Sequence, residues 1–391
     1  MTFAELKALD ETYVMHTYGR FPVDIDHGQG ATLYSLSGRK YIDFTSGIGV
    51  NSLGYGNPKW MAAITEQIGK LGHISNLFYT QPGTLLAQQL CTRSGMDKVF
   101  FGNSGAEANE AMIKVARKYS FDKYGKGRHK ILTLVNSFHG RTLCTLSATG
   151  QDVFHNYFFP FVEGFDYVVA NDIADLEAKL DDTVCAVMLE YIQGEGGVNA
   201  LEQAFVDAVF EKCAARDILV IADEVQTGVG RTGTFLAGEQ FGHKADVTTL
   251  AKGIAGGLPM GACLANEKCA GVLDKGSHGS TFGGNPVCCA GGLAVLNTVT
   301  APGFLDEVQR KAKLLREKLA KLDGVAGVSG LGLMVGIALK DKKAIDVANA
   351  ALEQGLLVLT AKDKVRLLPP LTITDEEIEK GVAILADVLS K

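Results

Sequence analysis

Short apolar runs alternate along this chain with stretches whose apolar residues recur at helical spacing. No other feature constrains the fold as strongly. Strand-like runs occur at KVFFGN (98–103), KILTLVN (130–136), TVCAVMLE (183–190), DILVIADE (217–224), DVTTLA (246–251) and GACLAN (261–266). After the first run, Ala111, Met112, Val115, Ala116 and Tyr119 fall at helical spacing. Between the third and fourth, Phe205, Ala208, Val209 and Cys213 share one helical face. Strands that are apolar throughout are buried on both sides. The pattern therefore predicts an α/β fold with a mainly parallel central sheet flanked by helices. Past residue 300 the texture changes to a charged helix, QRKAKLLREKLAKL (309–322), then short strands and two more helices. This predicts a large domain over 51–300, a small α+β domain over 301–391, and an N-terminal segment, 1–50, packing with the small domain.

Bulk properties narrow the partners. The 391 residues are 47% hydrophobic with a net charge of -6, and they carry no block of like charge. Nucleic acid and membrane are poor partners for such a chain. The N-terminal stretch mixes acids and bases without an apolar core, and no run approaches a membrane span. The eight cysteines are scattered with no C-x-x-C, and no H-E-x-x-H is present. Reduced thiols, a cytoplasmic location and no metal centre are expected.

The segment IADEVQTGVGRTG (221–233) contains a literal G-x-G-x-x-G. A dinucleotide-binding turn comes directly off a strand and opens a helix. Here five residues separate the strand from the first glycine, and TFLAGEQFG is a poor helix start. A nicotinamide-dependent oxidoreductase is therefore the weaker reading of this region.

Asp223 is the more informative residue, since it ends a buried strand at the edge where open α/β sheets bind ligands. A turn-capping role is the bland alternative. Lys252 ends the next strand, against glycines and apolar residues. Such a lysine either snorkels to solvent or is desolvated and free to attack a carbonyl. In FFGNSGAEANEA, Ser104 and Gly105 open a helix where an anion is favoured, although an ordinary N-cap would look the same. Together the three supply what pyridoxal 5'-phosphate needs: an amine for its aldehyde, a carboxylate for its ring nitrogen and a helix end for its phosphate.

Long blocks carry a resemblance: GHISNLFYTQP, GNSGAEANEA, NSFHGRTL, LEYIQGEGGV, ADEVQTGVGRTG, TLAKGIAGGLPMGA and HGSTFGGNP. With these blocks in this order, the chain resembles the class III pyridoxal-phosphate aminotransferases, from about YGRFPVDIDHGQG (18–30) to VRLLPPLTI (365–373). The resemblance implies a fold-type I transferase. It implies that Lys252 is the Schiff-base lysine and proton shuttle, and that Asp223 pairs with the ring nitrogen. Gln226 would sit by the ring hydroxyl, with Val225 and Phe138 on the two ring faces. Ser104, Gly105 and Ala106 would bind the phosphate, and Thr281 would reach the phosphate of a neighbouring subunit in a homodimer. Arg141 would take the substrate α-carboxylate, near Ser280, Glu190 and Tyr18. Glu195 would mask Arg366, releasing it for 2-oxoglutarate or glutamate. His139 reads as structural.

The implied reaction moves the terminal amine of N2-acetyl-L-ornithine, an acylated diamino acid, to 2-oxoglutarate. Ornithine, succinylornithine, succinyldiaminopimelate and 4-aminobutyrate are the alternative donors. Two departures stand out: Ala106 replaces a threonine of the phosphate turn, and Tyr191 replaces a proline, placing an aromatic ring near the mouth of the site.

Overall fold

Each of the six apolar runs forms a strand in the computed structural model, which describes residues 1–391. A seventh strand joins them in one sheet. In chain order the strands are β1 Lys98–Gly102, β2 Lys130–Leu134, β3 Phe165–Val168, β4 Val184–Leu189, β5 Leu219–Asp223, β6 Val247–Leu250 and β7 Gly261–Ala265. They lie side by side as β1-β7-β6-β5-β4-β2-β3. All neighbours run parallel except β7, which is antiparallel to both β6 and β1.

Strands β4, β5 and β6 are buried at every position. Successive side chains alternate between two cores. Leu219 and Ile221 pack with Ala111, Met112 and Val115 of the helix Gly105–Tyr124. Val220 and Ala222 pack on the other side with Phe205, Val209 and Cys213 of the helix Gln203–Ala215. Each leucine, isoleucine, valine, methionine or phenylalanine among them contributes roughly 1.5–3 kcal/mol by leaving water. Strand β3 escapes a periodicity search because it is an edge strand in which only Val168 is buried.

The C-terminal part carries the helices Phe304–Leu319, Ala344–Glu353 and Asp375–Ser390. They accompany an antiparallel sheet ordered Val325–Leu331, Met334–Leu339, Lys364–Leu367, Leu359–Ala361. A second small sheet begins as an antiparallel ribbon of His27–Gln29, Thr32–Tyr34 and Lys40–Asp43. Leu356–Leu357 then joins it in parallel, with Leu356 opposite Ile42. The chain's N-terminal and C-terminal parts thus share a ladder. No single helix is long and apolar enough to cross a membrane.

GVGRTG lies at the seam between the large sheet's loops and the C-terminal part. Gly230 has φ 87°, and a Cβ there would come within 2.9 Å of Val299 Cγ1. Buried Arg231 donates to the carbonyls of Leu333 (3.1 Å) and Pro369 (2.5 Å). Only the short 3-10 turn Ala237–Phe241 follows. These glycines serve close packing and open no helix.

Candidate active site

The carboxyl ends of β5 and β6 and the loop after β1 surround a cavity of about 330 Å³. Asp223 and Lys252 lie on its wall, with Ser104, Gly105 and Ala106 at one side and Phe138, Val225 and Gln226 around it. Parallel strands bring their carboxyl ends to one edge, so residues 29 positions or more apart in sequence meet there.

Lys252 begins a 3-10 turn immediately after β6, with φ 43°. This left-handed conformation is costly for a residue with a Cβ, and such strain gathers at functional sites. Burial disfavours its ammonium form. Glu195, Asp223 and Glu190 oppose that while Arg366 reinforces it, and the net shift is downward. The result is an amine readier to act as a base or nucleophile than a surface lysine.

Asp223 is held on both oxygens. Oδ2 accepts from Asn109 Nδ2 at 2.7 Å and faces His139 Nδ1 at 2.8 Å, and Oδ1 accepts from the Val225 N–H at 3.0 Å. Asn109 is itself fixed: its Nδ2 also donates to the His139 carbonyl (2.8 Å), and its Oδ1 accepts from Thr249 Oγ1 (2.7 Å). His139 thus has an ionic partner, 84 residues away in sequence. That separation hid the contact from motif reading, and so did the contact of Asn109. Val50 also lines the cavity, brought there from the N-terminal part with no local signal.

Ser104 caps the helix Gly105–Tyr124, its Oγ accepting from the Glu107 N–H at 3.1 Å. The Gly105 and Ala106 N–H groups, first in the helix, have no intrahelical acceptor and point outward from a positive dipole end. A Cβ at Gly105 would come within 2.7 Å of Val225 Cγ1. At Gly261, in β7, it would collide with the Ser104 carbonyl oxygen. Gly261→Ala should therefore displace the anion-binding turn. Overpacking costs of about 1–3 kcal/mol translate into a cofactor Kd raised roughly 5- to 150-fold. Titration of the apoprotein with pyridoxal phosphate measures it.

Glu190 lies within the site, accepting from the N–H groups of Phe138 (2.9 Å) and Gly194 (3.4 Å). Burial pushes its carboxyl from 4.5 up to about 7; His139 lowers it and Asp223 raises it. A carboxyl raised in the folded state stabilises fully below its unfolded value, and the contribution is lost as pH rises through the folded one. Apoprotein stability should fall between pH 4.5 and 7, and Glu190→Gln should flatten that fall. Urea midpoints across this range are the check.

Arg366 is buried. Its Nη1 donates to Glu195 Oε1 at 2.5 Å and to Gln226 Oε1 at 3.3 Å, while its Nε has no acceptor. Burial raises the Glu195 carboxyl, but the charge and hydrogen bond of Arg366 outweigh this and hold it below its ordinary value. Arg141 stands exposed beside Phe138, its Cζ 5.5 Å from that ring's centre. Ser280 and Thr281 line a neighbouring recess that shares Asn103 with the cavity. Tyr18 lies apart from the cavity, in an exposed groove along the N-terminal helix.

Tyr191 corrects its sequence reading. It is 1% exposed, away from the mouth, and stacks on Phe241 at 5.1 Å within the core beneath β4 and β5. A proline-to-tyrosine change there fills the core.

The aminotransferase class-III family profile matches residues 13–389. The chain is a class III aminotransferase. It is 54% identical to the acetylornithine aminotransferase of Haemophilus ducreyi, over the whole of both chains. It is 48% identical to that of Caldanaerobacter subterraneus, over 98% of each. Among solved structures, an N-acetylornithine aminotransferase from Stenotrophomonas maltophilia superposes with a TM-score of 0.85 at 36% identity, covering 98% of each chain. An ornithine aminotransferase from Toxoplasma gondii gives 0.95 at 31%, covering all of this chain and 95% of the other.

Class III aminotransferases use pyridoxal phosphate, and the residues of this aminotransferase fit the group. The free N–H pair at the helix end suits its phosphate, the doubly held Asp223 suits its ring nitrogen, and the buried Lys252 amine suits its aldehyde.

Proposed function

We propose that the enzyme moves the terminal amino group of N2-acetyl-L-ornithine to 2-oxoglutarate. The products are N-acetylglutamate 5-semialdehyde and glutamate, in a cytoplasmic step of arginine biosynthesis. The observation that carries this reading is a pair of unlike arginines: Arg141 exposed beside Phe138, and Arg366 buried and paired with Glu195. The full-length likeness to acetylornithine aminotransferases points the same way.

When bound, pyridoxal phosphate supplies an aldehyde that takes up amines and a protonated ring that withdraws electrons. Lys252 Nζ would hold the cofactor between turnovers and would carry the proton to and from the reacting carbon. Asp223 would keep the ring nitrogen protonated, with Asn109 and His139 fixing its carboxylate. Val225 and Phe138 would enclose the ring, Gln226 would sit by its hydroxyl, and Ser104, Gly105 and Ala106 would hold the phosphate. Thr281, with Ser280 beside it, would reach the phosphate of a second copy in a homodimer with shared sites. Glu190 completes the substrate surroundings. The division of labour runs through 1–50, 51–300 and 301–391, with the large middle domain binding the cofactor.

The donor reacts at a carbon bearing no carboxylate, whereas 2-oxoglutarate reacts beside one. Arg141 grips the carboxylate far from the reacting carbon in both cases. Glu195 neutralises Arg366 for the donor and yields it to the α-carboxylate of the acceptor. Glu195→Gln should therefore cut kcat/KM for the donor by on the order of tenfold or more and leave glutamate far less affected, as expected when one partner of a desolvated pair is removed. Half-reaction rates with each substrate measure the split.

Steady-state kcat/KM with 2-oxoglutarate and a donor panel tests the whole reading. N2-acetyl-L-ornithine should lead ornithine, succinylornithine, succinyldiaminopimelate and 4-aminobutyrate. A higher value for any of these would replace the proposed donor.

A further inference from the structure

Arg141 differs from every other arginine in the chain. Arg20, Arg39, Arg93, Arg117, Arg128, Arg216, Arg231, Arg310, Arg316 and Arg366 each make at least one hydrogen bond. Arg141 makes neither a hydrogen bond nor an ion pair. It is held by aromatic rings instead. Its Cζ lies 4.1 Å from the centre of Phe154 and 5.5 Å from that of Phe138. The two rings meet edge to face at 5.9 Å and 73°, so the guanidinium rests in an aromatic corner.

Phe154 is anchored for this task despite lying in a loop. It ends the 3-10 turn Asp152–Phe154. On one side Gln151 Nε2 donates to the Ser137 carbonyl at 3.0 Å, tying the turn to the residue before Phe138. On the other, His155 Nε2 lies 3.0 Å from the Leu146 carbonyl oxygen, in the helix that follows Arg141. Both flanks of Phe154 are therefore fixed to the segment that carries Arg141.

We infer that Phe154 is a positioning and specificity residue: its ring fixes the Arg141 guanidinium so that the N–H edge is presented, unspent, to a substrate carboxylate. Cation–π contact uses the flat face of the guanidinium and leaves its in-plane donors free. A carboxylate partner would have spent those donors. An unsupported exposed arginine would lose rotamer freedom on gripping a substrate, which a preorganised one does not. The inference rests on the proposed role of Arg141 and adds the residue that makes it selective. Donors carrying a carboxylate gain from the clamp, and simple diamines gain nothing.

The test uses the cofactor-loaded enzyme and compares wild type, Phe154→Leu, Arg141→Leu and the double variant. The probes are N2-acetyl-L-ornithine and 1,4-diaminobutane in the amine half-reaction. Phe154→Leu should raise the apparent Kd for acetylornithine by on the order of tenfold. The saturating rate should stay within about twofold, because uniform binding is what is lost. Phe154→Trp should restore affinity. Arg141→Leu should weaken acetylornithine at least as much, and adding Phe154→Leu to it should weaken it no further, since both act through one contact. If Arg141→Leu weakens binding but Phe154→Leu does not, the clamp is overturned while the carboxylate role of Arg141 stands. If the two losses add, or if the leucine variant slows the diamine equally, Phe154 acts only on the fold and the inference fails. If Arg141→Leu leaves acetylornithine unaffected, the reading of Arg141 falls and the clamp falls with it.

Discussion

Lys252→Ala is expected to lower the amine half-reaction by roughly 10⁴-fold or more, since it removes the residue proposed as both covalent anchor and proton carrier. The fold should survive. The Lys252 amine is buried among cavity residues, its charge is disfavoured by that burial, and no hydrogen bond from it contributes to the shift. Removing a poorly compensated buried amine relieves a desolvation cost. The apoprotein's thermal midpoint should therefore stay level or rise. Alanine keeps a Cβ at φ 43°, so the local strain is not released and does not confuse the comparison. Pyridoxal phosphate should still bind through the helix end and Asp223. Rapid mixing with donor and a thermal melt of the apoprotein measure the two halves. A variant that retains turnover would show that another residue moves the proton.

Asp223→Ala should cost both activity and stability, and the two losses can be separated. Loss of the proposed ring-nitrogen partner in a water-excluded site should lower the half-reaction by roughly 10²–10³-fold or more. The same change strips an acceptor from Asn109 Nδ2, His139 Nδ1 and the Val225 N–H. Unpaired buried donors cost about 1–3 kcal/mol each when nothing replaces their partner, so the urea midpoint should drop. Asp223→Asn keeps the size and one acceptor oxygen. It should recover part of the stability and little of the rate. If the asparagine variant recovered the rate as well, the charge on Asp223 would not be what the reaction uses.

The parts of the fold legible in the sequence were those set by burial. Strands β4, β5 and β6 are wholly enclosed, so they had to be apolar throughout, and their carboxyl ends marked Asp223 and Lys252. The edge strand β3 has no such obligation and passed unnoticed. The same limit applied within the site. Spacing along the chain cannot show that Asn109 and His139 converge on one carboxylate oxygen, nor that Phe154 lies over Arg141. The parallel pairing of Leu356 with Ile42 is likewise a tertiary choice that local propensity does not encode. Tyr191 was misplaced for a related reason. It was read as lying at the mouth because it stands where the family has a proline after a site glutamate, yet the bend after β4 turns its ring onto Phe241. GVGRTG carried the opposite risk, a motif without its context, and the missing helix after Gly233 was the decisive sign.

The proposed reaction takes the terminal amine of an acylated diamino acid onto a pyridoxal cofactor held by Lys252. The most direct measurement is the visible spectrum of the purified, cofactor-loaded enzyme during addition of N2-acetyl-L-ornithine with no keto acid present. The yellow absorbance of the Lys252-linked cofactor should be lost as the amine is taken up, with free ornithine and 4-aminobutyrate doing the same far more slowly, and 2-oxoglutarate should restore it. A spectrum that N2-acetyl-L-ornithine leaves unchanged while another amine bleaches it would contradict the proposed donor.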